Sequence, residues 1–107
     1  VSSAASDVYK RQPEFIGGTA ALMKYLSSNI KYPTISQETG SQGKVIVQFV
    51  VDKDGTISNP EVVRGVDPYL DKEAIRVISS MPKWTPGVQN GKKVRVKFTV
   101  PVSFRLQ

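Results

Sequence analysis

Two short stretches hold the residue types of a ligand-binding loop. Asp52 to Gly55 reads "DKDG", the opening of a calcium loop in which alternate carboxylates ligate the cation. Such a loop needs glycine at its sixth position and a bidentate glutamate at its twelfth. Here the glycine is fourth and Val63 stands twelfth, so the stretch reads as a hairpin turn. Gly87 to Lys93, "GVQNGKK", is similar to a phosphate loop. Its glycines are one residue too close, Lys93 stands where Ser or Thr must hold the metal, and a strand follows instead of a helix. Asp71 and Glu73 sit two apart on a helical stretch, hence on different faces, and read as a solvated first turn near the positive helix end. The chain has no histidine and no cysteine. The commonest base near neutral pH and the thiolate nucleophile are therefore both missing. The residues point to no enzyme, no cofactor and no metal site.

Charge is the next chemical signal. The net charge is +6, and no acidic residue follows Glu73. Arg76, Lys83, Lys92, Lys93, Arg95, Lys97 and Arg105 all lie beyond it. Such a field favours anionic partners. In the closing stretch "KKVRVKFTVPVSFRLQ", Val94, Val96, Phe98, Val100, Val102, Phe104 and Leu106 point one way. Arg95, Lys97, Thr99, Pro101, Ser103 and Arg105 point the other, giving a strand with an apolar face and a basic wet face that has no acid nearby. RNA-binding sheets place aromatic residues on the wet face for stacking. Here Phe98 and Phe104 fall on the opposite face, so nucleic acid is only a weak electrostatic match and a runner-up.

The elements that must position this strand follow from pattern. Residues 1–12 have no period and read as a disordered tail extraneous to the domain, similar to an adapter-derived peptide. Leu22, Leu26 and Ile30 recur every fourth residue with Met23 beside them, predicting an amphipathic helix capped by Thr19 and ended by Pro33. Thr34–Gln42 reads as a loop. Lys44–Asp52 and Ile57–Arg64 read as a hairpin turning at Asp54-Gly55, with Pro60 marking an irregularity. Asp67 and Pro68 open a second helix with Leu70, Ala74, Val77, Ile78 and Met81 on one face. Pro86-Gly87 and Asn90-Gly91 read as turns, and Trp84 as the core anchor of the crossing to the last strand. One α+β domain is expected, ordered α-β-β-α-β: a three-stranded antiparallel sheet packed on one face by two helices. Pro101 cannot donate to a ladder, which marks the last strand as an edge.

Four stretches in this order, "NIKYP", "GKVIVQFVVDKDGTI", "LDKEAIRVISSMPKWTPG" and "NGKKVRVKFTVPVSF", resemble the TonB C-terminal domain family over residues 13–107. The opening "PEFIGG" is similar to the family's lead, with Ile16 replacing a proline. The resemblance implies a periplasmic piece of a longer parent with an inner-membrane anchor that meets ExbB and ExbD. It implies capture of the TonB box of an outer-membrane transporter by strand addition, coupling proton-motive force to uptake. On that reading the partner-binding residues are Asn29, Ile30 and Lys31, ahead of Tyr32 and Pro33. The edge strand adds Val94, Arg95, Val96 and Lys97, continuing through Phe98, Thr99 and Val100. Short fragments would also form strand-exchanged homodimers. The same module fused to an envelope sensor or peptidase is the alternative within this resemblance.

Overall fold

The computed structural model describes residues 10–106. Its centre is the expected antiparallel sheet. Strand β2 (Gly43–Val51) lies between β3 (Ile57–Arg64) and β6 (Val96–Phe104). Val45, Val47, Phe49 and Val51 of β2 are fully buried, and Val100, Val102 and Phe104 of β6 continue that wall. Helix α1 (Gly18–Asn29) brings Leu22 and Leu26 against it, and α3 (Pro68–Ser79) brings Leu70, Ala74, Val77 and Ile78. Period-2 strands and period-3.6 helices thus meet in one apolar layer, which is where their burial is most favourable.

Outside the last strand and Glu73, the structure departs from expectation in four places. Thr34–Glu38 is a short helix, α2, and not a loop. Gly17, in the left-handed region at φ 94°, caps α1, so Thr19 lies inside the helix and caps nothing. Gly87 opens a strand, β4 (Gly87–Gln89), and makes no turn there; β4 pairs with β5 (Lys92–Val94) across the Asn90-Gly91 turn. Both turn residues have positive φ, 53° and 76°, as a tight hairpin requires. The two-residue strand β1 (Lys10–Arg11), from the stretch expected to be a tail, pairs with β4. It completes a second three-stranded sheet, β1-β4-β5. Residues 1–9 of the expected tail lie outside the described residues.

Helix α3 starts as its sequence dictates. The Asp67 side chain accepts from the Leu70 N–H at 2.7 Å, and Pro68 takes the first turn. The same carboxylate accepts from the Ser36 hydroxyl at 3.0 Å, tying α2 to α3. The Leu70 N–H is the main reason the Asp67 carboxyl is held below its usual range. Asp67→Ala should cost about 1 kcal/mol, the ordinary worth of an N-cap, and somewhat more through Ser36, read as a lower urea midpoint at unchanged slope.

The β2–β3 turn is fastened from outside. Gly55, at φ 88°, accepts a hydrogen bond from the Trp84 N–H at 2.8 Å. A Cβ at this glycine would stand 2.0 Å from the Trp84 carbonyl oxygen, so no side chain fits. Trp84 is 3% exposed and meets Phe15, Phe49 and Phe98 at centroid distances of 5.8, 5.2 and 5.2 Å.

Candidate functional site

The sheet has two outer edges, and they differ. Along β3 the register slips twice against β2, around Asn59-Pro60 and around Val63. Asn59 takes a positive φ of 51° at the first slip. Bulges and a proline blunt an edge against further pairing. Along β6 the register with β2 runs unbroken from Gly43↔Phe104 to Val51↔Val96. Among the described residues no strand pairs with the far side of β6.

Which β6 groups face that free side follows from the hairpin. The Asp52 N–H donates to the Thr56 carbonyl at 2.9 Å, closing the first rung between β2 and β3. Alternation then turns the peptide groups of Val50 toward β3 and those of Val51, Phe49, Val47 and Val45 toward β6. Their partners Val96, Phe98, Val100 and Val102 face inward. Lys97, Thr99, Pro101 and Ser103 therefore present N–H and C=O groups outward, except that Pro101 has no N–H to give. Proline fits opposite Ile46 because that rung needs no donor from it.

The expected continuous strand Val94–Arg105 is interrupted. Val94 ends β5 opposite Gly87, Arg95 belongs to no strand, Val96 begins β6, and Arg105 lies past its end. Arg95 is not the uncompensated cation that alternation suggested. Its Nε donates to Asp52 Oδ1 at 2.7 Å, and Ser58 donates to the other oxygen at 2.8 Å. Lys97 is exposed on the wet face beside Gln48, Asn59 and Glu61. Phe98 and Val96 are half-buried, Thr99 is exposed, and Val100 is buried.

The stretch Asn29–Pro33 is held from several sides. Asn29 closes α1, its side chain donating to the Tyr25 carbonyl at 2.8 Å. Arg76 Nη2 donates to the Asn29 carbonyl at 2.9 Å and to Glu73 Oε2 at 2.6 Å. Glu73 accepts the Lys31 N–H at 2.7 Å on that same oxygen. Tyr32 stands edge-on to Phe104 at 5.6 Å, and its hydroxyl donates to the Ser41 carbonyl. Partial burial, then the Asp67 charge, pushes that phenol up. Pro33 precedes α2, its carbonyl accepting from Gln37.

Ile30, with Met23, Leu26 and Ser27 of α1, lines a cleft of about 70 Å³ against Pro101, Val102 and Ser103. The two groups of residues singled out from the sequence thus fall on different stretches of one strand. Ile30 and Tyr32 lie beside its C-terminal half, while Val96–Val100 form its N-terminal half.

Glu73 is the residue the sequence reading missed. It is only 9% exposed, between buried Leu70, Ala74 and Val77, and is not a solvated first-turn acid. The signal available was a carboxylate inside an apolar stripe with an arginine three residues on. The Arg76 hydrogen bonds hold its carboxyl below the usual carboxylate range, with Lys31 adding to them. Asp71, its neighbour, accepts from the Val66 N–H at 2.9 Å. Among the described residues no three acidic side chains gather as a metal site, and no helix is long and apolar enough to cross a membrane.

Comparison with known proteins agrees with this architecture. The family described as Gram-negative bacterial TonB protein C-terminal matches residues 28–106. Protein TonB of Haemophilus influenzae is 33% identical over 85 residues, covering 76% of this chain and 32% of that protein. Protein TonB of Helicobacter pylori is 26% identical over 83 residues, covering 77% and 28%. The chain thus spans about a third of the length of the curated relatives it matches. A solution structure of the Helicobacter pylori TonB-CTD superposes with a TM-score of 0.62 at 24% identity, covering 80% of this chain and 90% of that one. That likeness is one of fold.

Proposed function

Because the chain belongs to the family of Gram-negative bacterial TonB C-terminal domains, a non-enzymatic family, we propose that it is the periplasmic receiving end of an energy transducer. On this reading it captures the TonB box of an outer-membrane transporter by adding it as a strand to β6. The longer parent carries the anchor that meets ExbB and ExbD, and proton-motive force reaches the transporter through the captured segment. One observation carries the binding mode: a regular nine-residue strand whose far edge is unpaired among the described residues. An extended peptide can take its main-chain hydrogen bonds from such an edge. The contrast with bulged, proline-bearing β3 favours β6 as the receiving side.

The basic wet face supports the same reading through rate. Lys97 stands exposed on β6 itself, and rim cations speed encounter with an acidic segment more than they tighten the complex. The test is an amide chemical-shift titration of the chain with TonB-box peptides from transporters of the source genome. Shifts should centre on β6. Shifts confined to α3 with β6 silent would sink strand addition. Binding to an oligonucleotide that falls steeply with salt, with no response to any peptide, would favour the nucleic-acid reading.

A further inference from the structure

The β6 edge is open over only part of its length, and the reason lies in this chain's own residues. We infer that a captured segment pairs with the main chain of Lys97 and Thr99 alone, and that Pro101 together with α1 forms a stop that ends the pairing. This rests on strand addition at β6 as proposed above.

Three observations meet at the stop. Pro101 is the third of the outward-facing positions and lacks the donor that a partner carbonyl would need. Beyond it, Met23, Ser27 and Ile30 close on Pro101, Val102 and Ser103. The cleft they leave is small, about 70 Å³, and lies beside the main chain that a partner would have to reach. Burial changes at the same place. Val100, Val102 and Phe104 are 1, 0 and 2% exposed, whereas Val96 and Phe98 on the same face are only half-buried. The upstream limit is equally plain, since Arg95 leaves the strand to pair with Asp52.

The occupant is therefore a short extended segment, a few residues long, with one side chain lying over Phe98 on the apolar side. On the wet side its neighbour is Lys97. Arg95 is already neutralised by Asp52 and Lys97 makes no ion pair among the described residues. A carboxylate on the segment belongs opposite Lys97, where it meets a free cation.

Prolines can test the boundary without breaking the sheet, because the outward positions give no donor to β2. Thr99→Pro removes a donor from the half before Pro101, and Ser103→Pro removes the equivalent donor from the half beyond it. With the TonB-box peptides used above, Thr99→Pro should weaken binding at least tenfold and Ser103→Pro less than twofold. Hydrogen exchange on the unaltered chain gives a second reading independent of mutant folding. Peptide should protect the Lys97 and Thr99 amides and leave Ser103 unchanged. Protection reaching Ser103, or equal loss in both variants with native circular dichroism, overturns the stop while leaving strand addition standing. Failure of every peptide to bind the unaltered chain overturns the proposed function itself.

Discussion

Trp84→Ala should lower stability by about 3–5 kcal/mol, the cost of emptying a large aromatic site. For a domain whose whole margin is about 5–15 kcal/mol, that is enough to populate unfolded chains at modest temperature. The indole is the hub on which Phe15, Phe49 and Phe98 rest edge-on, and the lead segment, β2 and β6 meet through it. Its backbone also holds the β2–β3 turn through Gly55. Trp84→Phe should be far milder. The indole Nε1–H is buried with no hydrogen-bond partner, so phenylalanine keeps much of the apolar contact and removes a donor that is costly to bury. Urea midpoints followed by circular dichroism compare the two. Equal losses would mean that the N–H matters and the packing account is wrong.

The second large effect is at Glu73. Glu73→Ala should cost about 1–3 kcal/mol, because the part-buried hydrogen bond from the Lys31 N–H and the Arg76 fork are lost together. The cost stays at the low end of buried ion pairs, since Arg76 is half-exposed and water can solvate it. The local consequence is larger than the global one. Residues Asn29–Lys31 lose their tie to α3, and the Lys31 amide should exchange at least tenfold faster while β2 amides change with global stability alone. Uniform acceleration of both would refute a local fastening role.

Glu73 also sets the sign of the pH response. Its carboxyl and that of Asp67 are held below their ordinary values, the first chiefly by Arg76 and the second chiefly by the Leu70 N–H. Carboxylates depressed in the folded state contribute stability that is complete above the unfolded value, about 4. It is lost as pH falls through the folded value. With no histidine in the chain, urea midpoints should be level from about pH 5.5 to 7.5 and fall below about pH 4. Glu73→Gln should flatten the fall.

What the sequence disclosed was what local pattern can carry. The Asp67-Pro68 start of α3 and its apolar stripe were legible because capping and periodicity are short-range. So was β6, whose alternation matches its burial residue by residue, and so was the edge character that Pro101 announces. Helix α2 was not legible. It spans five residues, too few to show a period, and it is held by Ser36 reaching Asp67 across 31 positions. Strands β1, β4 and β5 are two or three residues long and exist only as a set. The candidate binding region reads in sequence as one strand plus the approach to Tyr32-Pro33, but its partition in the fold was hidden. The break at Arg95 depends on Asp52, 43 positions away. The cleft at Pro101 depends on where α1 lies.

The unbroken register between β2 and β6 has a mechanical meaning. A pull along a segment lying beside β6 is parallel to the strand, while the ladder bonds run across it. The load then reaches the β2–β6 ladder bonds, spread over nine paired positions, together as shear. A perpendicular pull would peel them one at a time. The Arg95–Asp52 pair pins the upstream end of that ladder to the same central strand. Strand β6 is thus clamped along its whole length to the most buried strand of the domain, an arrangement suited to carrying tension without unravelling.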